Sequence, residues 1–422
     1  FMYNSAVDMD GDGRMELVFS NWKADGFKGG IGVAWFECDG VGLSSVTSIG
    51  DVDLVGTSLV SGDGFGRSVA SIGDVSGDGV GDLAVGAPGR GGGVGSIFIL
   101  FLAPDGSVGS HAEIVANSSS WANAPSCPQF GWAVAPVGDA RSGGLDGWSA
   151  PDLLVGCHGS GVGGPNTGAA FVVFLNVSGE VLSHSTLDVN TVGRGAVPLE
   201  AGDRFGMDVG GCWMGEDVDG NGVVGDEVAI GAIGGDTVSP PRIGTGRLHL
   251  IGLGGSGDVR WWSGIDAGSK SRLSSVWDME WGLEGGDWFG ARITPVPDLN
   301  GDGTPDVLVQ AGSDDEGGVV NQGSVWVVYL EGGDGVGGVG MGPGLWSWEK
   351  ISTESCGVEL AGVGAGTQNW GSVGGFMGDL DGDGLPEVAV GSQNDDDGGN
   401  DLGAVFMLSL DTPGWNSSGD GV

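Results

Sequence analysis

Asp298, Asn300, Asp302 and Asp306 stand at alternate or near-alternate places in the run Asp298-Leu299-Asn300-Gly301-Asp302-Gly303-Thr304-Pro305-Asp306. Alternation carries the oxygen side chains to one side of a tight loop. The glycines permit the bend, Thr304 adds its carbonyl, and Asp306 closes the ring. Carboxylates held within about 4 Å repel one another by roughly 4 kcal/mol per pair at an effective dielectric of about 20. A bound cation makes such a cluster stable, and all-oxygen ligation in a flexible loop points to calcium over zinc or copper.

The design recurs. Asp8, Asp10 and Asp12, with the carbonyl of Arg14 and with Glu16, form one copy. Asp74, Ser76, Asp78, Val80 and Asp82 form a second, and Asp379, Asp381, Asp383, Leu385 and Glu387 another. A looser copy, Asp217, Asp219, Asn221 and Val223, has two extra residues before Glu227, with Asp226 as the rival closing acid. The stretch from Asp139 to Asp152 carries a longer insertion and is a weak sixth candidate. One Asp-Gly turn would read as a solvated loop. Five good copies at intervals of about 65 to 80 residues instead predict about five calcium sites. An EF-hand is excluded, because its twelfth loop position needs a bidentate Glu followed by a helix. Here those positions are Phe19, Val85, Val309 and Val390, inside apolar β-type runs.

The elements that position these loops repeat as well. An aromatic-Gly start opens each first strand: Phe65 to Gly73, Phe130 to Gly138, Phe205 to Gly215, Phe289 to Pro297 and Trp370 to Gly378, with Phe1 to Val7 as the partial first copy. A second strand follows each acidic loop, as in Leu83-Ala84-Val85 and Val307-Leu308-Val309. A Gly-rich loop leads to a third strand: Ile31 to Phe36, Ser96 to Leu102, Ala169 to Leu175, Arg247 to Ile251, Ser324 to Leu330 and Ala404 to Leu410. Weaker fourth strands include Ser45 to Ile49, Val181 to Leu187 and Trp348 to Ser352. Four antiparallel strands per repeat, a period above 40 and no helical periodicity describe an all-β propeller. Six repeats are visible, so the ring has six or seven blades, with calcium loops between first and second strands. One propeller then spans 1–422, with blades near 1–55, 56–120, 121–195, 196–275, 276–360 and 361–422, the last incomplete.

The formal charge of −41 comes from 56 acids against only 15 Lys and Arg. Nucleic acid and anionic membrane surfaces are disfavoured partners. No apolar run reaches the ~20 residues of a membrane span, so no membrane insertion is expected within this chain. Cys38, Cys127, Cys157, Cys212 and Cys356 are too few and scattered for a zinc site or a disulfide-rich module, although Cys127 and Cys157 fall in one repeat and can bridge. The start at Phe1 without a leader reads as a processed or trimmed piece. Sequons at Asn117, Asn176 and Asn416 are candidate N-glycosylation sites compatible with secretion.

Phe65-Gly66, the Asp74 to Asp82 loop and Gly86-Ala87-Pro88 together resemble the FG-GAP repeat of integrin α-subunit propellers and related surface proteins. The resemblance implies calcium on one rim and ligand contact on the opposite rim, where loops between blades meet those between second and third strands. Here that rim includes 89–94, 158–166, 277–288, 313–321 and 393–401. It implies an extracellular or cell-surface, secreted module that binds a protein or glycan partner and can self-assemble. Departures are the degraded third loop, the visible count of six where integrins have seven, and a Gly-Ala-Pro without a full counterpart elsewhere.

Trp277, Trp281 and Trp288 cluster near acids between blades and can stack on sugar rings; Trp121 and Trp370 are similarly placed candidates for the ligand rim. Each can instead plug a gap between blades; Trp35 and Trp326 fall within third strands and read as core. No residue is assigned a catalytic role. The histidines are isolated, and Cys157 beside His158 makes a poor dyad because adjacent strand residues face opposite ways. Asp314-Asp315-Glu316 and Asp395-Asp396-Asp397 read as solvated loops. Two other classes stay open: a structural subunit of an extracellular fibre or coat, and a polysaccharide lyase or glycosidase.

Overall fold

The computed structural model describes residues 2–7, 16–36, 43–116, 127–137, 152–191, 199–211, 226–235, 237–238, 241–242, 244–267, 269, 282–315, 321–332, 344–352, 370–378, 386–392 and 404–410. Within them the chain forms one antiparallel sheet after another. β1 (Met2–Val7), β2 (Glu16–Ser20), β3 (Ile31–Phe36) and β4 (Leu43–Ile49) pair in that order. The second sheet is β5 (Ser68–Ser71), β6 (Leu83–Ala87), β7 (Ser96–Leu102) and β8 (Val108–Val115). The third is β9 (Ala133–Val137), β10 (Asp152–Cys157), β11 (Ala169–Leu175) and β12 (Val181–Leu187). In the fourth, β13 (Phe205–Gly211) and β14 (Glu227–Ala232) are followed by a small hairpin, β15 (Thr237–Val238) and β16 (Pro241–Arg242), before β17 (Arg247–Leu253) and β18 (Val259–Asp266). The fifth is β19 (Phe289–Val296), β20 (Asp306–Ala311), β21 (Ser324–Glu331) and β22 (Gly344–Ile351). Among the described residues the sixth has three strands, β23 (Trp370–Gly378), β24 (Glu387–Ser392) and β25 (Ala404–Ser409).

The first strands β1, β5, β9, β13, β19 and β23 lie side by side in that sequence, and β23 returns to β1. That is an all-β propeller of six blades, and it settles the choice between six and seven. In blades two to five the second and third strands are covered on both faces, so they read as nearly continuous apolar runs. β11, Ala-Ala-Phe-Val-Val-Phe-Leu, is buried along its whole length. Fourth strands are mostly exposed or half-buried. Each interface between blades is a separate core, such as Val18, Val33, Val69, Val85, Phe98 and Leu100 between blades one and two. In the sixth blade Phe406 and Leu408, the register counterparts of the fully buried Phe98 and Leu100, are only half-buried.

The aromatic-Gly start has a structural cause. The aromatic residue pairs in parallel with the glycine that precedes the third strand of the blade before it: Gly29 with Phe65, Gly95 with Phe130, Gly168 with Phe205, Gly246 with Phe289. At Gly168 the backbone φ is +92°, and a Cβ would lie 2.0 Å from the Phe205 carbonyl oxygen. Only glycine allows blades to approach so closely. The same crowding explains the small residues that end second strands: a Cβ at Gly156 would sit 2.3 Å from the Gly206 carbonyl. The pressure therefore comes from the next blade's first turn, and Gly156 and Gly231 are the counterparts of Gly86.

Several strand bounds shift. The first strand of the second blade begins at Ser68, because Phe65, Gly66 and Arg67 form the junction turn. The fourth strand of the fifth blade runs Gly344–Ile351 rather than from Trp348 to Ser352.

Candidate functional site

Two acidic loops are described in full, 74–82 and 298–306, and they fold alike. Asp74 Oδ1 accepts from the N–H groups of Gly77 (2.6 Å) and Asp78 (3.0 Å), and its Oδ2 from Gly79 (2.8 Å). Asp298 accepts from Gly301 (2.7 Å), Asp302 (3.2 Å) and Gly303 (2.6 Å) in the same pattern. Burial opposes ionisation of Asp74, but the three N–H donors outweigh it and hold its carboxyl below the usual range. Thr304 and Val80 are buried at the seventh position, while Asp78 and Asp302 stand exposed at the loop tips.

The closing acid does more than close the loop. Asp306 Oδ2 accepts from Leu299 N–H (2.9 Å), and its Oδ1 reaches across the sheet to Leu330 N–H on β21 (2.8 Å). Asp82 likewise joins Val75 and Ser76 to Leu102 on β7. Asp152 accepts from Leu175 N–H on β11 (3.0 Å), and Glu387 from the Ser409 hydroxyl on β25 (2.8 Å). In the fourth blade Glu227 opens β14 in register with Asp82, whereas Asp226 pairs with Arg260 at 3.3 Å. Glu227 therefore takes the place in the fourth blade that Asp82 holds in the second. Glu16 opens β2 and is buried.

Among the described residues no group of three or more His, Cys, Asp or Glu side chains converges on a metal-holding cluster. The donor set nevertheless fits a hard divalent cation: every candidate ligand is oxygen, and a carboxylate has about four acceptor sites, so one that accepts three N–H groups still keeps a lone pair for a metal. Asp306 adds a second sign. Burial raises its pKa to about 7, and the charges of Asp298 and Asp302 push in the same direction. Asp8, Asp10, Asp12 and Arg14, Asp217, Asp219, Asn221 and Val223, Asp379, Asp381, Asp383 and Leu385, and Asp139 lie outside the described residues.

The opposite rim has another character. Seven described non-glycine residues adopt positive φ: Asp25, Phe27, Gln129, Asn166, Arg204, Trp288 and Asn321. All seven sit between blades or in the loops from second to third strands. Such strained residues concentrate at binding surfaces. Gln129, Arg204 and Trp288 immediately precede the blade-opening aromatic, a place where nothing in their side chains signals a left-handed backbone. Of the nine large apolar side chains exposed among the described residues, Phe27, Val52, Val55, Val60 and Trp288 are on this rim. A cavity of about 700 Å³ opens there in the first blade, lined by Phe19, Asn21, Lys28, Ser48 and Asp51 among others.

Toward the axis the Arg67 guanidinium lies 4.0 Å from the Trp132 ring centroid and 5.6 Å from that of Trp22. His158 meets Trp132 edge-to-face at 4.3 Å between centroids. Arg292 pairs with buried Asp208 at 3.1 Å.

The tryptophan candidates divide. Trp288 is 45% exposed, but Trp370 is 0% exposed and is no part of a ligand surface. It replaces phenylalanine as the sixth blade's opening aromatic and fills the gap to the fifth. Trp326 is buried, and half-buried Trp35 donates from Nε1 to Thr47 Oγ1 at 3.0 Å. Trp121, Trp277 and Trp281 lie outside the described residues, as do Asn117 and Asn416. Asn176 occupies a tight turn, its Oδ1 accepting from Ser178 N–H (3.0 Å) and Glu180 N–H (2.9 Å). Asp314 is buried rather than solvated, because Lys350 (2.9 Å) and the Ser324 hydroxyl hold it. Cys157 is disulfide-bonded to Cys127, with Cα atoms 6.1 Å apart, which removes it as a nucleophile.

The FG-GAP repeat family matches this chain at 65–100 and 289–328, the two segments that contain the fully described acidic loops. The chain carries FG-GAP repeats in a propeller similar to that of integrin α-chains. Integrin alpha-PS2 of Drosophila melanogaster is 39% identical over 99 residues, 23% of this chain and 7% of that protein. Integrin alpha-5 of Xenopus laevis is 29% identical over 161 residues, 37% of this chain and 14% of its own length. The FG-GAP propeller thus matches only a small part of these larger proteins. No helix among its described residues is long and apolar enough to cross a membrane.

Proposed function

We propose that this FG-GAP propeller is a calcium-stabilised extracellular binding module, with a partner, protein or glycan, meeting the rim opposite the acidic loops. The observation that carries this reading is the separation of the two rims. Acidic loops gather on one; every described strained side chain and most exposed apolar ones gather on the other. Integrin α-chains, which share the repeat, supply the analogy to adhesion. The Cys127–Cys157 disulfide fits an oxidising compartment.

Calcium would act on folding. A cation among Asp298, Asn300, Asp302 and Asp306 offsets their mutual repulsion and pins the hairpin between first and second strands, so metal free energy becomes folding free energy. Extracellular modules of this kind bind at roughly 10⁻⁴ to 10⁻³ M. Melting in EDTA is expected well below melting in millimolar calcium, and equal midpoints would overturn the metal assignment. For the binding role, the test is a screen of extracellular proteins and glycans with and without calcium, repeated with the surface variants Phe27→Ala and Trp288→Ala. Hits that weaken in these variants support the rim; hits indifferent to both place the contact elsewhere.

A further inference from the structure

Around blades two to four the rim carries polar atoms without partners. Trp132 Nε1 and His158 Nδ1 are both buried with no hydrogen-bond partner, although their rings are in contact at 4.3 Å. His158 is 9% exposed, held in the turn after β10 beside the Cys127–Cys157 disulfide. The Arg67 guanidinium covers the Trp132 face at 4.0 Å. Arg204 stands exposed at the adjoining junction, with positive φ, and no carboxylate among the described residues pairs with it. In contrast, Arg90, Arg247, Arg260 and Arg292 each hold an acid. An unpaired cation is notable in a chain with 15 bases and 56 acids.

We propose that Trp132, His158, Arg67 and Arg204 form a seat for one anionic group, a carboxylate or a sulfate, carried by the ligand that meets this rim. The proposal rests on the reading of the rim as the binding face. An indole N–H is only a donor and the exposed Arg204 guanidinium has no acceptor, so the group that satisfies them must accept. Charge-assisted bonds of this kind are about twice as strong as neutral ones. His158 stays neutral at physiological pH, since burial and then the Arg204 and Arg67 charges lower its pKa to about 4. Its Nδ1 can then donate as one tautomer.

The test is an NMR titration of the ¹⁵N-labelled chain in calcium with sodium acetate and, separately, sodium sulfate, at ionic strength matched by sodium chloride. The Trp132 indole N–H resonance is expected to shift saturably with one or both anions and not with chloride, the two arms deciding between carboxylate and sulfate. Arg204→Ala, an exposed change that leaves the core intact, should weaken that binding about tenfold, the loss of one charged hydrogen bond. An equal response to chloride, unchanged affinity in Arg204→Ala, or an unmoved resonance that instead shows a bound-water cross-peak would overturn the seat. If the rim reading alone fails, acetate or sulfate still binds while the partner screen is blank. If the seat alone fails, partners bind wild type and Arg204→Ala equally.

Discussion

Single residues in this propeller repeatedly carry two demands at once. His249 is fully buried on β17; its Nδ1 accepts from Trp262 Nε1 at 2.8 Å, and Phe205 packs edge-on against its ring at 5.1 Å. Burial, followed by the Arg247 charge, lowers its pKa to about 3. The folded state therefore binds fewer protons than the unfolded chain between about pH 3 and pH 6.5, and stability is lost as pH falls through that window. Each pH unit there costs about 1.4 kcal/mol per such histidine. Buried acids with raised pKa, such as Asp287 near 6, act in the opposite sense. The readout is thus the difference between wild type and His249→Phe in urea unfolding at pH 6.5 and 5: the variant should lose about 2 kcal/mol of the acid-side slope. Parallel pH profiles would contradict a neutral buried imidazole.

The blade separates two roles that the acidic motif merges. The closing acid bridges the loop to the third strand, and the loop acids await a cation. Asp152 retains the bridge to Leu175 in the blade whose loop carries the long insertion. Asp152→Ala strands a buried N–H and should cost about 1–3 kcal/mol, equally in calcium and in EDTA. Asp302→Ala removes an exposed loop-tip carboxylate and should lower the melting temperature in calcium but hardly in EDTA. Identical calcium dependence for the two variants would show that one role, not two, is at work. These bridges were not legible in the sequence, because their N–H donors lie 23 or 24 residues away at Leu175 and Leu330. The closing acids themselves were.

Around the ring, five junctions among the described residues place a glycine under the next blade's opening aromatic. Gly246→Ala puts a Cβ 2.0 Å from the Phe289 carbonyl oxygen at φ +93°. Backbone cannot yield as a side-chain tip does, so the variant should be destabilised by roughly 3 kcal/mol or more. Because adjoining cores share strands, circular dichroism and tryptophan fluorescence should still report one urea transition, shifted to lower midpoint. A separate early transition confined to the fourth and fifth blades would mean that the ring does not fold as a unit.

The amino-acid pattern alone determined the all-β class, the repeat, the acidic loops and their closing residues. Those depend on local spacing, alternation and turn chemistry, which act between residues close in the chain. Tertiary structure decided what spacing cannot express. Six wedges of this twist bring β23 back to β1, so closure is a property of the whole ring. Trp370 is buried because the neighbouring blade covers it, although its aromatic character equally suited an exposed site. Arg67, Trp132 and His158 meet because the second and third blades converge there, and no window along the chain contains that convergence.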